Sequence, residues 1–308
     1  MPRKQLTVVA PAKLNLTLDI DGMLPGGYHA VRMVLQSLSL CDRVILSRAE
    51  GAVEVDCPKY LPQGEDNIVH RAAMAFFYAA GLSPEGIRLK VVKKIPVAAG
   101  LGGGSADAAA TLFGLNQWFE SPLSIDQLLE TGASVGADVP FCLLGGTMLA
   151  EGFGEQLRAL APMPDCHLVL VQAGKKDSTG AMYARYDSHV SKPAETTPRM
   201  LSALEQGELP LVAGALGNAF DKVANREKCE KIKALLEEDG ALGCSLSGSG
   251  PTYYGLFARE NEAVASARRL IRRGYEPLVC RPVPWGCYMV LNIETRKPGV
   301  IQRKMGTI

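Results

Sequence analysis

The chain has no C-x-x-C pair and only four histidines among its 308 residues, which leaves no basis for a zinc site built from closely spaced ligands. Its eight cysteines, at 41, 57, 142, 166, 229, 244, 280 and 287, are scattered. They read as small buried hydrophobes in a reducing compartment, not as a disulfide framework. Charge of one sign is also missing: 33 Lys and Arg face 32 Asp and Glu, a net charge of +1. A general nucleic-acid binder would carry a basic face, so none is expected, although such balance leaves room for a local site for a small charged ligand. No apolar run approaches the ~18 residues of a membrane span. The basic N-terminus reaches Pro11 and Lys13 before a signal-peptide core can form. The expectation is a cytoplasmic protein with neither nucleic-acid nor membrane partners.

What the chain does have is apolar mass. Hydrophobic residues make up 47% of it, enough for one large core or two smaller ones, and the length suits two lobes. Leu14, Leu16, Leu18 and Ile20 alternate with polar residues and predict a half-buried strand. Strands are expected at 43–47, 52–56 and 87–95, and helices at 67–80, 105–118 and 125–135. A strand should follow at 145–151. The second half, from about residue 165, predicts strands at 167–172, 242–246, 253–257 and 277–283. Its helices fall at 178–186, 200–205, 227–238 and 262–273, with a mobile surface loop at 187–198. This order predicts an α+β sandwich divided as 1–164 and 165–290, with a basic tail over 291–308 that frays.

Five segments carry chemistry. The first, PVAAGLGGGSAD from Pro96 to Asp107, follows a predicted strand and opens a predicted helix. Gly100, Gly102, Gly103 and Gly104 let backbone approach an anion, and the helix N-terminus supplies amides and positive potential for phosphates. It is not a Walker loop, because no G-x-x-x-x-G-K-[ST] is present. It also sits far from the first strand, where a dinucleotide fold would place its glycines. The second segment is PAKLNL, which sets Lys13 and Asn15 on one face of a strand. The third is GADVPF, where Asp138 stands between a helix and an apolar stretch as either a turn cap or a site carboxylate. SGSGPT, starting at Ser247, is either a hairpin turn or a second anion nest. PGGYH places Tyr28 and His29 at the exit of a turn, where an aromatic can stack on a base.

Together, in this order, these segments resemble the GHMP superfamily of small-molecule kinases. The resemblance runs from Pro11 to about Gly286 and implies a two-lobed fold. The N-terminal lobe would resemble ribosomal protein S5 domain 2 and the C-terminal lobe a ferredoxin-like sandwich, with the site in the cleft between them. It implies ATP with Mg²⁺ as the phosphoryl donor. It also implies catalytic roles for Lys13 and Asp138, and an ATP cradle of Pro96, Val97, Ala98, Ala99, Gly100, Leu101, Gly102, Gly103, Gly104, Ser105 and Ala106. No residue is assigned to the metal.

The PAKLNL and GGYH segments resemble a branch acting on a cytidine diphosphate-linked methylerythritol in the non-mevalonate route to isoprenoid precursors. That likeness implies that Tyr28, His29 and Tyr183 bind the cytosine and that Asn15 contacts the substrate near the reacting hydroxyl. The implied assembly is a monomer or weak homodimer. Homoserine or phosphomevalonate kinase activity stays open as an alternative, as does a silent nucleotide-binding regulator, against which the presence of both Lys13 and Asp138 argues.

Overall fold

The computed structural model describes residues 4–23, 27, 29–174, 177–189, 195–224 and 226–290. Tyr28, the tail from 291 onward, and residues 190–194 of the expected loop lie outside that set.

The first half builds β1 (Gln5–Met23), β2 (His29–Ala52), β3 (Glu54–Asp56), α1 (Ile68–Ala80), β4 (Glu85–Val92), α2 (Gly103–Trp118), α3 (Ile125–Val135), α4 (Val139–Leu144), β5 (Thr147–Glu151) and β6 (Gln156–Ala159). The second half builds β7 (His167–Gln172), α5 (Thr179–His189), α6 (Thr197–Gln206), α7 (Leu209–Gly214), β8 (Gly217–Asn218), α8 (Arg226–Glu238), β9 (Gly243–Leu246), β10 (Thr252–Phe257), α9 (Glu260–Arg272), β11 (Leu278–Cys280) and β12 (Tyr288–Val290).

β1 and β2 are far longer than the alternating patches that announce them. They pair antiparallel from Gln5–Ser47 to Met23–His29, with register shifts between Pro11 and Lys13, Asn15 and Thr17, and Ile20 and Gly22. Such bulges re-aim side chains, and two of them bracket the Lys13–Asn15 segment. Leu14 and Leu16 are wholly buried while Lys13 and Asn15 are 5% and 1% exposed, so both faces of β1 are covered here and the alternation marks a site as well as a core. Among the described residues the larger sheet has eight strands along the path β12-β1-β2-β4-β3, with β5, β6 and β8 off it.

α1 and α2 pack against this sheet and each other through Ala72, Phe76, Ala108 and Leu112, all fully buried. Asn67 caps α1 by accepting from the Val69 amide at 2.9 Å, and Gly81 ends it in the left-handed region at φ 64°.

The smaller sheet runs β11-β7-β10-β9 with every pair antiparallel. Counted within the lobe this is strand order 4-1-3-2 with helices between strands, the ferredoxin-like arrangement. Three differences from the sequence expectation have separate causes. The loop expected from Asp187 begins as helix, since α5 continues to His189. α4 forms over the apolar VPFCLL stretch because Pro140 suits a helix start. β12 returns to pair with β1, so the end of the second half closes the first sheet.

The two halves are also tied by a buried carboxylate. Asp19 on β1 is fully buried and accepts from the Thr196 amide at 3.0 Å, the Thr196 hydroxyl at 2.7 Å and the Thr197 amide at 2.7 Å. It therefore caps α6 from another element, satisfying amides that the helix itself leaves open. Asp19→Ala should lower the unfolding free energy by about 2 kcal/mol, the cost of losing a cap and stranding buried donors. Urea unfolding of the two proteins measures it, and a loss below about 0.5 kcal/mol would remove Asp19 as the anchor of α6.

Candidate active site

A cavity of about 510 Å³ opens where β1, the loop before α2 and the β9–β10 turn converge. Its walls include Lys13, Asn15, Met33, Pro96–Ser105, Asp107, Asp138, Tyr183, Phe220, Gly248 and Ser249, while Ala106, expected in the cradle, is fully buried and not among them. Four of the five sequence segments thus contribute directly to one cleft.

Lys13 is held by its own backbone, whose amide donates to the Leu101 carbonyl at 3.0 Å. Its ammonium donates to Asn15 Oδ1 at 2.8 Å and lies 3.4 Å from Asp138 Oδ2. Asp138 occupies the N-cap position of α4, yet its side chain makes no capping bond. Its carboxylate instead faces Lys13 at the cavity wall. The Asn15 amide nitrogen lies 3.2 Å from Met33 Sδ, and the Asn15 carbonyl accepts from the Tyr254 hydroxyl at 2.8 Å. This packing leaves the Lys13–Asn15–Asp138 set little freedom.

The glycines of the loop differ in backbone conformation. Gly103 is an ordinary helical residue, so positive φ is not its reason for being glycine. The left-handed positions are Gly100 at 78°, Gly102 at 67° and, outside glycine, Ala98 at 54°. A Cβ on Gly100 would lie 2.4 Å from the Ser247 carbonyl oxygen and 2.9 Å from that of Gly250. One on Gly102 would lie 2.6 Å from Lys13 Cγ. Gly102 caps α2, whose first turn presents amides of Gly103, Gly104 and Ser105 that no preceding turn can satisfy.

The SGSGPT segment is a hairpin connection between β9 and β10 that lies against the glycine loop. Ser247 donates from its hydroxyl to the Gly100 carbonyl at 2.9 Å, and the buried Asn218 amide donates to the Leu246 and Gly248 carbonyls at 2.8 and 2.9 Å.

Beneath α2 sits a charged triad that sequence reasoning missed, because its members are 51 and 14 residues apart. Lys93 bridges Asp42 and, at 2.7 Å, Asp107. Asp42 also accepts from the Lys94 and Ile95 amides at 2.5 and 2.8 Å, so it is the better-solvated anion. Asp107 keeps one buried oxygen, Oδ1, without a partner. Burial pushes the Asp107 carboxyl up to about 7; Lys93 opposes this and Asp42 adds to it. Burial pulls the Lys93 ammonium down, but the Asp107 and Asp42 carboxylates outweigh it and hold Lys93 above the usual lysine range.

At the far side, His29 stacks on Tyr183 with ring centroids 4.2 Å apart and planes 15° from parallel. Tyr183 meets Phe220 edge-on at 5.0 Å. The structure so joins His29 and Tyr183 from different halves of the chain, and adds Phe220, which no sequence motif marked. It lies on a short 3-10 turn over Ala219–Lys222 that Asn218 caps at 2.9 Å.

Comparison with known proteins agrees with this geometry. Residues 67–146 match the GHMP kinases N terminal domain and residues 200–276 match the GHMP kinases C terminal domain. The 4-diphosphocytidyl-2-C-methyl-D-erythritol kinase of Pelotomaculum thermopropionicum is 42% identical over 280 residues, covering 90% of this chain and 97% of that protein.

The chain belongs to the GHMP kinase family.

The enzyme of the same description from Geobacter metallireducens is 40% identical over 87% of this chain and 94% of its own length. A crystal structure of 4-(cytidine 5'-diphospho)-2C-methyl-D-erythritol kinase superposes with a TM-score of 0.77 at 30% identity, covering 90% of this chain and 98% of that one. Homoserine kinase from Cytophaga hutchinsonii, with a TM-score of 0.75 at 18% identity over 94% of this chain and 98% of its own, shares the fold. GHMP kinases are ATP-dependent, so this GHMP kinase is an ATP-dependent small-molecule kinase. No helix among the described residues is long and apolar enough to cross a membrane.

Two outcomes follow. Gly102→Ala should lower both thermal stability and kcat/KM, the latter at least about tenfold, because it strains a left-handed residue and displaces Lys13. Gly104→Ala, whose Cβ would meet only Ile68 Cγ2 at 3.8 Å, should leave the melting temperature within a few degrees. Equal melting temperatures for the two variants would contradict the packing argument. The second outcome concerns pH. Asp107 binds its proton more tightly folded than unfolded, so its contribution to stability falls as pH rises from about 4 toward 7. Asp107→Asn should therefore gain on the wild type between pH 5 and pH 8, by about 1 kcal/mol or more in urea unfolding. A difference that stays constant across that range would place the titration elsewhere.

Proposed function

We propose that this GHMP kinase transfers the γ-phosphoryl group of ATP to the 2-hydroxyl of 4-diphosphocytidyl-2-C-methyl-D-erythritol, a step of the non-mevalonate route to isoprenoid precursors. The observation that carries the reading is the pair of a buried Lys13 and a part-exposed Asp138, 3.4 Å apart, set between an amide-rich helix start and an aromatic wall. It stands in a chain 42% identical to a relative described by that activity.

In this reading the amides at the start of α2 and the Pro96–Ala106 backbone cradle the ATP phosphates. Asp138 accepts the hydroxyl proton as the oxygen attacks phosphorus, with the bond to the leaving phosphate oxygen breaking. Lys13 stands opposite Asp138 and steadies negative charge as it develops on the transferring group. Asn15 fixes the Lys13 ammonium and faces the substrate hydroxyl. His29 and Tyr183, with Tyr28, take the cytosine.

Among the described residues no cluster of three or more His, Cys, Asp or Glu is arranged to hold a metal. The donors that line the cleft, Ser105, Asp107 Oδ1 and Asp138, fit Mg²⁺ carried mainly on phosphate oxygens, the usual manner of this ion. When bound it would neutralise phosphate charge.

Release of ADP with this substrate, in a coupled assay, tests the reading directly, and absence of turnover with it overturns it. Asp138→Asn should bind ATP normally by calorimetry and lose roughly 10²–10⁴-fold in kcat. Retention of more than about a tenth of the wild-type rate would sink the base assignment.

A further inference from the structure

We infer that Asp187, which belongs to no sequence motif, sets the base specificity of the enzyme by fixing which nitrogen of His29 is left open to the substrate. This inference rests on the substrate reading above and adds a positioning residue to it.

The argument is one of elimination at a single imidazole. His29 Nε2 lies 2.8 Å from Asp187 Oδ1. An ionised carboxylate only accepts, so Nε2 carries the hydrogen, and in a neutral imidazole Nδ1 must then be an acceptor. One face of the ring is closed by Tyr183, stacked 4.2 Å away and nearly parallel. The His29 side chain is only 9% exposed, so a base cannot lie freely across it. The other ring nitrogen, Nδ1, makes no hydrogen bond to another described residue, and it is to this edge that recognition is assigned.

An acceptor there selects a ligand that presents a donor. The exocyclic amine of cytosine does so, whereas the carbonyl at the same place in uracil does not. Without Asp187 the imidazole can move its hydrogen to Nδ1 and accommodate either base. Stacking on Tyr183 cannot make this distinction, because every base offers a π-face.

Topology explains why the carboxylate is there. His29 opens β2 in the first half, whereas Asp187 and Tyr183 lie four residues apart on α5 in the second, one helical turn that places both on the same face. A single helix therefore supplies the stacking ring and the tautomer-setting anion together. Asp187 itself is half-exposed, its side chain at 49%, so its replacement does not open a core.

The test compares wild type with Asp187→Ala at pH 8. Each enzyme is assayed for kcat/KM with the cytidine diphosphate-linked substrate and with its uridine diphosphate-linked analogue. Asp187→Ala should reduce the preference for cytidine over uridine roughly tenfold, the worth of one hydrogen bond read in the wrong sense. It should leave the Michaelis constant for ATP and the melting temperature within experimental error. A structural defect would lower both rates without moving their ratio. A wild-type preference that survives in Asp187→Ala to within twofold overturns the inference while leaving the substrate reading intact. Absence of turnover by the wild type with the cytidine substrate overturns both.

Discussion

No side chain fits between Gly100 and the Ser247–Gly250 turn. A Cβ there would stand 2.4 Å from one carbonyl oxygen and 2.9 Å from another, so the two halves of the molecule meet backbone to backbone. Everything that lines the cleft depends on that contact. The Ser247 hydroxyl ties the two loops through the Gly100 carbonyl, and the neighbouring Leu101 carbonyl receives the Lys13 amide. Gly102 then lets α2 start directly over the Lys13 side chain. A helix N-terminus, a buried ammonium and a turn from the opposite lobe are thereby brought together without intervening bulk, the condition under which a low-dielectric site gives fixed charges their greatest effect.

Around this contact the buried polar groups divide their labour. Asp19 uses its carboxylate to hold α6 to β1, a structural task met by backbone donors. Asp42 is likewise saturated, by Lys93 and two amides. Asp138 is different: it has a cation nearby at 3.4 Å and no cap to make. Asp107 lies between these cases, paired on one oxygen and unpaired on the other. The number of donors each carboxylate finds thus separates the saturated Asp19 and Asp42 from Asp107 and Asp138.

The second lobe contributes more than a cover. β8 and β12 both join the first sheet, and α5 lays Tyr183 and Asp187 against His29. Asn218 links the β9–β10 turn to the 3-10 turn carrying Phe220 through bonds from both ends of one side-chain amide. The phosphate side and the aromatic side of the cavity are connected through this residue.

The local features were legible in the chain because each has a local cause. The alternation at 14–20, the helix at 67–80 and the strand–glycine–helix unit at 87–118 all follow from backbone sterics and side-chain period over a few residues. The GHMP likeness lay in PAKLNL, the glycine loop and SGSGPT for the same reason. The sequence reading could not determine the full reach of β2 or the return of β12, since pairing partners far along the chain set both. Nor could it reveal the Lys93–Asp42–Asp107 triad or the meeting of His29 with Asp187. A lone lysine or aspartate carries no mark of its partner, and only the folded chain brings each pair to a separation of 2.7 or 2.8 Å, burying both members in the Lys93–Asp107 case. Gly103 gives the sharpest contrast: composition grouped it with Gly100 and Gly102, and tertiary packing decided that those two alone occupy the left-handed positions where no other residue fits.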